Sequence, residues 1–150
     1  MLALFEVANL RQRANPRGRL MIRCVRIWSG VNGASLFEDG AIELEGAERG
    51  DFKSLLTNAS SISFRETASG GSYQWHNAPT RQIVITLSGT LEFETQDAQK
   101  FIIYPGDILL AEDTSGSGHK WRLLDQHPWL RAYIILDNNA KVNFIKSKEL

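Results

Sequence analysis

Apolar residues along most of the chain recur at every second position, in short runs rich in Val, Ile, Thr, Phe and Trp and separated by clusters of Gly, Asp, Asn or Ser. A period of two with β-branched and aromatic enrichment predicts strands rather than helices. On that basis strands are expected at 22–28, 41–44, 61–67, 73–76, 82–87, 90–95, 100–104, 107–112, 120–124 and 129–136, with an eleventh at 142–145. Only 51–57 and the N-terminal arm leave room for a helical turn, because no other window sustains apolar residues at i, i+3, i+4 and i+7. So many short strands with regular turn signals imply an all-β sandwich or closed barrel. Ser88-Gly89 reads as a tight hairpin turn, and Tyr104-Pro105-Gly106-Asp107 as a second reversal.

Two of these strands are apolar on both parities. In 82–87, Ile83, Ile85 and Leu87 oppose Val84; in 129–136, Leu130, Ala132, Ile134 and Leu136 oppose Trp129, Tyr133 and Ile135. Each strand therefore needs cover on two sides. A second sheet supplies one cover and a partner subunit is a natural source of the other, so a homodimer is expected.

A chain of 150 residues is one domain's worth and buries a core without disulfides or structural metal. The lone cysteine, Cys24, sits in an alternating apolar run and is expected to be a buried, reduced thiol, which fits a cytoplasmic setting. Lys and Arg, 17 together, balance 17 Asp and Glu, which argues against a dedicated nucleic-acid binder. No apolar run reaches the ~18 residues of a membrane span. The neutral total conceals two opposed blocks: residues 1–26 hold six arginines against Glu6, and residues 27–51 hold six acids against Arg49. Residues 1–20 are expected to form a loose N-terminal extension ahead of a domain over 21–150; a transit peptide, or an arm docking on the acidic stretch, are the alternatives.

Strand parity also gathers the candidate chemistry. His76, Ala78 and Gln82 have equal parity, so His76 and Gln82 point the same way if the phase persists through Pro79. His119 follows the Ser115-Gly116-Ser117-Gly118 turn and shares parity with Trp121 and Leu123. Two imidazoles and an amide oxygen then converge in one cavity. Glu112 ends an apolar strand beside that turn, where burial would raise its pKa and suit it to proton transfer; a solvated rim acid is the alternative. Asp107 and Asp113 read as turn residues that cap backbone amides. Trp75 has the opposite parity to His76 and should face away, Arg81 reads as a surface or interface residue, and Tyr133 lies on a strand that can reach the cavity.

The spacing of these residues resembles the cupin superfamily, in particular the small single-domain cupins. The first cupin motif is His-x-His, then Glu, then Gly; this chain keeps the spacing from His76 through Gln82 to Gly89 but carries Ala78 and Gln82 where the second His and the Glu stand. The second motif runs from Pro-Gly-Asp to Gly-x-x-His, and here Pro105-Gly106-Asp107 leads to Gly116 and His119. The resemblance implies a jelly-roll β-barrel, or double-stranded β-helix, in a single domain. It also implies His76 and His119 as ligands of a divalent metal ion (Fe, Mn, Ni or Zn), with Gln82 offering a neutral oxygen; Ala78 stands at a position of that motif, and Trp121 and Tyr133, by their place on their strands, join it as expected substrate-pocket residues. If the chain is an enzyme, Glu112 is the candidate catalytic residue. The implied function is binding of a small oxygenated molecule, with metal-dependent oxygenase, isomerase or lyase chemistry in view. The alternative is a non-catalytic ligand-binding or sensor cupin without metal.

Overall fold

β-branched and aromatic residues alternating with polar ones produce strands almost throughout. The computed structural model of the protein describes residues 21–147, and the extension expected over 1–20 lies outside the described residues. In chain order the strands are β1 (Ile22–Ser29), β2 (Ser35–Ile42), β3 (Glu45–Glu48), β4 (Asp51–Lys53), β5 (Ala59–Thr67), β6 (Ser72–His76), β7 (Gln82–Ser88), β8 (Leu91–Thr95), β9 (Lys100–Ile103), β10 (Ile108–Glu112), β11 (His119–Leu123), β12 (Trp129–Leu136) and β13 (Phe144–Lys146). Seven form one sheet in the order β13-β2-β1-β10-β7-β12-β5, four form a second in the order β6-β11-β8-β9, and β3 and β4 make a separate ribbon.

From β5 onward the chain passes back and forth between the two large sheets: β5, β7, β10 and β12 lie in one, β6, β8, β9 and β11 in the other. That winding is a jelly-roll β-barrel, the expected fold class. It also corrects the reading of Ser88-Gly89. This step joins β7 to β8 across the sheets, so it is a crossing and not a hairpin within one ladder. The reversal at Tyr104–Asp107 is a true turn, closed by Asp107 N–H donating to the Tyr104 carbonyl at 3.0 Å, and it too carries the chain between sheets.

Two other elements differ from the pattern-based expectation. The 51–57 segment holds strand β4 followed by irregular chain, with no helical turn. Strand β2 begins at Ser35, ahead of the expected 41–44, because Glu38-Asp39-Gly40 looks like a turn yet pairs with β1. Here the opposed charge blocks meet: Arg26 lies opposite Glu38 in register and bonds it at 3.3 Å, while Arg23 bonds Asp39 at 2.9 Å.

The space between the sheets is filled by Val25, Ile27, Leu91, Phe93, Phe101 and Ile103, with Phe93 and Phe101 stacked at 5.0 Å. Full burial of side chains of this size stabilises the fold by ~1.5–3 kcal/mol each. On the outer face of the larger sheet, Cys24, Ile42, Leu110, Leu136 and Ala140 form a second cluster, covered by Leu44, Val142 and Phe144. Much of the cover expected from a partner subunit is thus supplied by the chain's own C-terminal segment. Cys24 is fully buried there, and burial pushes its thiol up to about 12. Ile62, Phe64 and Leu87 stay exposed on the remainder of that sheet. No helix among the described residues is long and apolar enough to cross a membrane.

Candidate functional site

A cavity of about 410 Å³ is lined by residues of both sheets. This is within the ~300–1,000 Å³ range of small-molecule sites. The structure brings His76, Ala78, Gln82, His119, Trp121 and Tyr133 into its lining. Parity explains only part of that convergence. His76 ends β6 in the smaller sheet and Gln82 starts β7 in the larger one, so the chain crosses the barrel between them rather than keeping one strand phase. As expected, Trp75 stays off the cavity wall, with the Lys120 ammonium 5.0 Å from its ring centroid.

His119 and His76 are opposite each other in the β11·β6 ladder, and their rings meet edge to face with centroids 4.5 Å apart. Each ring is fixed through Nδ1. That of His76 donates to the Gln74 carbonyl at 2.6 Å, and that of His119 contacts Asp113 Oδ2 at 2.5 Å. A neutral imidazole bound in this way keeps Nε2 as a lone-pair donor. Burial lowers the pKa of His76, as does the neighbouring His119, and the Gln74 hydrogen bond offsets only part of this. Tyr73 packs on His76 at 3.9 Å and Phe93 on His119 at 5.7 Å, closing the pair in aromatic surface.

Asp113 is a residue whose role the turn reading missed. It is fully buried, and Oδ2 accepts from Ser35 Oγ at 2.8 Å as well as facing His119, while Oδ1 has no partner. Asp107 does cap a backbone amide, that of Tyr104 at 3.0 Å, and in addition pairs with Arg23 at 2.6 Å.

Glu112 departs from its expected role. It is not among the cavity-lining residues; its two oxygens take the Nε atoms of Arg26 at 2.5 Å and Arg81 at 2.6 Å. Burial alone would raise its pKa, but those two arginines outweigh it and hold the carboxyl below its usual value. A carboxylate stabilised in that way is a poor proton acceptor. Arg81, read as a surface or interface residue, is half-buried and bridges Glu112 to the Ala140 carbonyl.

The larger omission lies on β12. Arg131 is buried in the cavity wall and stacks on Trp129, its guanidinium carbon 3.7 Å from the ring centroid. Its Nε donates to Tyr133 Oη at 3.1 Å, and Nη1 donates to Thr67 Oγ1 at 2.9 Å and to the Trp129 carbonyl at 3.2 Å. Arg65 stands directly opposite it in the β12·β5 register and packs over Tyr133 at 4.5 Å. The signal was present in the sequence: Arg131 is the one charged residue in an otherwise apolar strand, on the parity of Trp129 and Tyr133.

As potential metal donors the cavity offers two imidazoles and the neutral amides of Gln82 and Asn77, and no cluster of three His, Cys, Asp or Glu that could hold a metal ion occurs among the described residues. The hydrogen bond at each Nδ1 nevertheless resembles the outer-shell contact that orients metal-ligating histidines. This donor set fits a divalent ion held with open positions, and more weakly than a site with a carboxylate.

No protein-family model matches the chain, and no curated protein matches it. Among solved structures, the chain is similar to an uncharacterized conserved protein with a double-stranded β-helix domain from Klebsiella pneumoniae, at 17% identity and a TM-score of 0.43, over 72% of this chain and 85% of that one. It is also similar to a cupin superfamily protein from Desulfitobacterium hafniense, at 21% identity and a TM-score of 0.39, over 54% of this chain and 75% of that one. A cupin-2 domain containing protein from Shewanella frigidimarina follows at 20% identity and a TM-score of 0.38, covering 55% of this chain and 80% of that one.

Proposed function

We propose that the protein is a cupin that binds a small oxygenated molecule inside the barrel. The observation that carries this reading is a cavity of about 410 Å³ whose wall combines aromatic and aliphatic side chains with convergent polar groups, His76, Gln82 and His119 among them. The test is thermal unfolding against a panel of small hydroxy, carbonyl and carboxylate compounds. Binders should raise the unfolding temperature, and Ala78→Leu, which narrows the cavity, should abolish the rise without changing the far-UV spectrum. A panel in which no compound shifts wild type counts against the reading.

A second reading, that a divalent metal sits on Nε2 of His76 and His119 with Gln82 as a third donor, is favoured by the oxygen partner at each Nδ1. When bound, the ion would polarise an oxygen of the ligand as a Lewis acid. Elemental analysis of protein purified without chelators or affinity tag tests it: stoichiometric metal should disappear in His76→Ala and His119→Ala. A metal-free wild type would leave the ligand-binding reading to stand on the cavity alone.

A further inference from the structure

Among the described residues, neither Arg65 nor Arg131 has a carboxylate in an ion pair, whereas Arg23, Arg26, Arg81 and Arg122 each do. No Asp or Glu among the described residues lines the cavity. Arg131 is the one arginine in the buried set, and a buried charge without a counter-charge costs several kcal/mol unless something else supplies it. Its other donors are spoken for: Nε by Tyr133, Nη1 by Thr67 and the Trp129 carbonyl; Nη2 has no protein partner and is not sealed from solvent. The cross-strand position of Arg65 adds a second positive charge where like charges repel. Both features are accounted for if an anion enters between them.

We infer that the cavity ligand is a carboxylate with an apolar or aromatic body, its carboxylate held by Arg131 Nη2 and Arg65 and its body lying against Trp121, Trp129 and Phe93. The inference rests on the ligand-binding reading above and names the ligand class. The two oxygens of a carboxylate can be shared between the N–H groups of Arg131 Nη2 and the guanidinium of Arg65, and the surrounding aromatic wall favours an organic body. The stacking of Arg131 on Trp129 and its three protein hydrogen bonds hold the guanidinium in place before the ligand arrives, which reduces the entropy lost on binding.

The experiment titrates the full chain with benzoate, 3-phenylpropionate and their neutral amides, followed by tryptophan fluorescence from Trp121 and Trp129 and by calorimetry. The expected result is that a carboxylate binds at least about tenfold more tightly than its amide and that Arg131→Gln removes this preference. Arg65→Gln, at an exposed position, should weaken carboxylate binding about threefold or more, and keeps the test decisive if Arg131→Gln does not fold. Amides that bind as tightly as the acids, with no effect of Arg65→Gln, would overturn the inference and leave cavity binding standing. Failure of both acids and both amides to bind would overturn the inference, and a panel without binders in the preceding test would overturn the cavity reading itself.

Discussion

Asp113 holds the site's imidazole from behind: one carboxylate oxygen serves both Ser35 and His119 while the other is buried without a partner. Removing the side chain strands a hydroxyl and a ring N–H in a dry interior, so Asp113→Ala is expected to cost about 2–4 kcal/mol in urea unfolding. A loss under about 0.5 kcal/mol would show that the contact is not structural. Glu112 makes the contrasting case. Its carboxylate joins Arg26 of β1 to Arg81 of the 77–81 connection, so Glu112→Gln should cost about 1–2 kcal/mol after solvent screening and leave ligand affinity unchanged. A large loss of affinity in that variant would return Glu112 to the site. These residues mark what a sequence reveals at this scale. His76, Gln82 and His119 were legible because motif spacing ties them together. Asp113 was not, since nothing in Glu112-Asp113-Thr114 distinguishes a carboxylate that caps a turn from one that folds inward onto an imidazole six residues later. Arg131 was hidden by treating its strand as apolar, when the lone charge was the informative residue.

Strand β11 owes its position to a glycine. Gly118 has φ +72° and packs so closely on β6 that a Cβ there would run into the His76 carbonyl oxygen. Gly118→Ala combines a left-handed backbone penalty with displacement of the β6·β11 ladder, and we expect about 2–4 kcal/mol of destabilisation together with loss of cavity binding. Retention of both would mean that the two strands part without consequence for the site. Central strands such as β7, β10 and β12 were readable to within a residue or two, because burial on one or both faces forces apolar alternation. β2, β3 and β4 were missed in whole or part. Their acids and glycines, in Glu38-Asp39-Gly40 and Glu45 through Lys53, carry turn chemistry that cross-strand arginines or an isolated ribbon override. The Ser88-Gly89 step teaches a related lesson: a turn dipeptide tells that the chain reverses, whereas the sheet that receives the next strand depends on long-range pairing.

For the whole molecule, His76 and Glu112, the half-buried groups whose pKa values are lowered, set a pH dependence. His76 has a lowered pKa, so below the ordinary value of 6.5 the unfolded chain takes up protons that the folded one refuses, and stability falls as pH drops from there through the folded value. Glu112, also lowered, adds a second loss below its ordinary 4.5, as its pairing with the arginines is titrated away. Urea midpoints should therefore decline in two stages on acidification, and His76→Gln should remove the earlier one; an unchanged profile in that variant would refute the assignment. The uncovered part of the larger sheet, with Ile62, Phe64 and Leu87 exposed beside the free edge of β5, supports our proposal of a homodimer. Sedimentation at micromolar concentration should give twice the chain mass, and Phe64→Asp should give the monomer; a monomeric wild type would refute it. The order of the larger sheet has one more consequence, for how the chain is made. β13 pairs with β2, setting Phe144 opposite Ile42, and Arg81 reaches the Ala140 carbonyl. During synthesis, the early strands β1 and β2 emerge without β10 and β13, the neighbours that flank them in the finished sheet. The cluster around Cys24 and Leu110 is therefore covered only once the segment through β13 has been made, and nascent chains halted before residue 140 will expose it to chaperones or to one another.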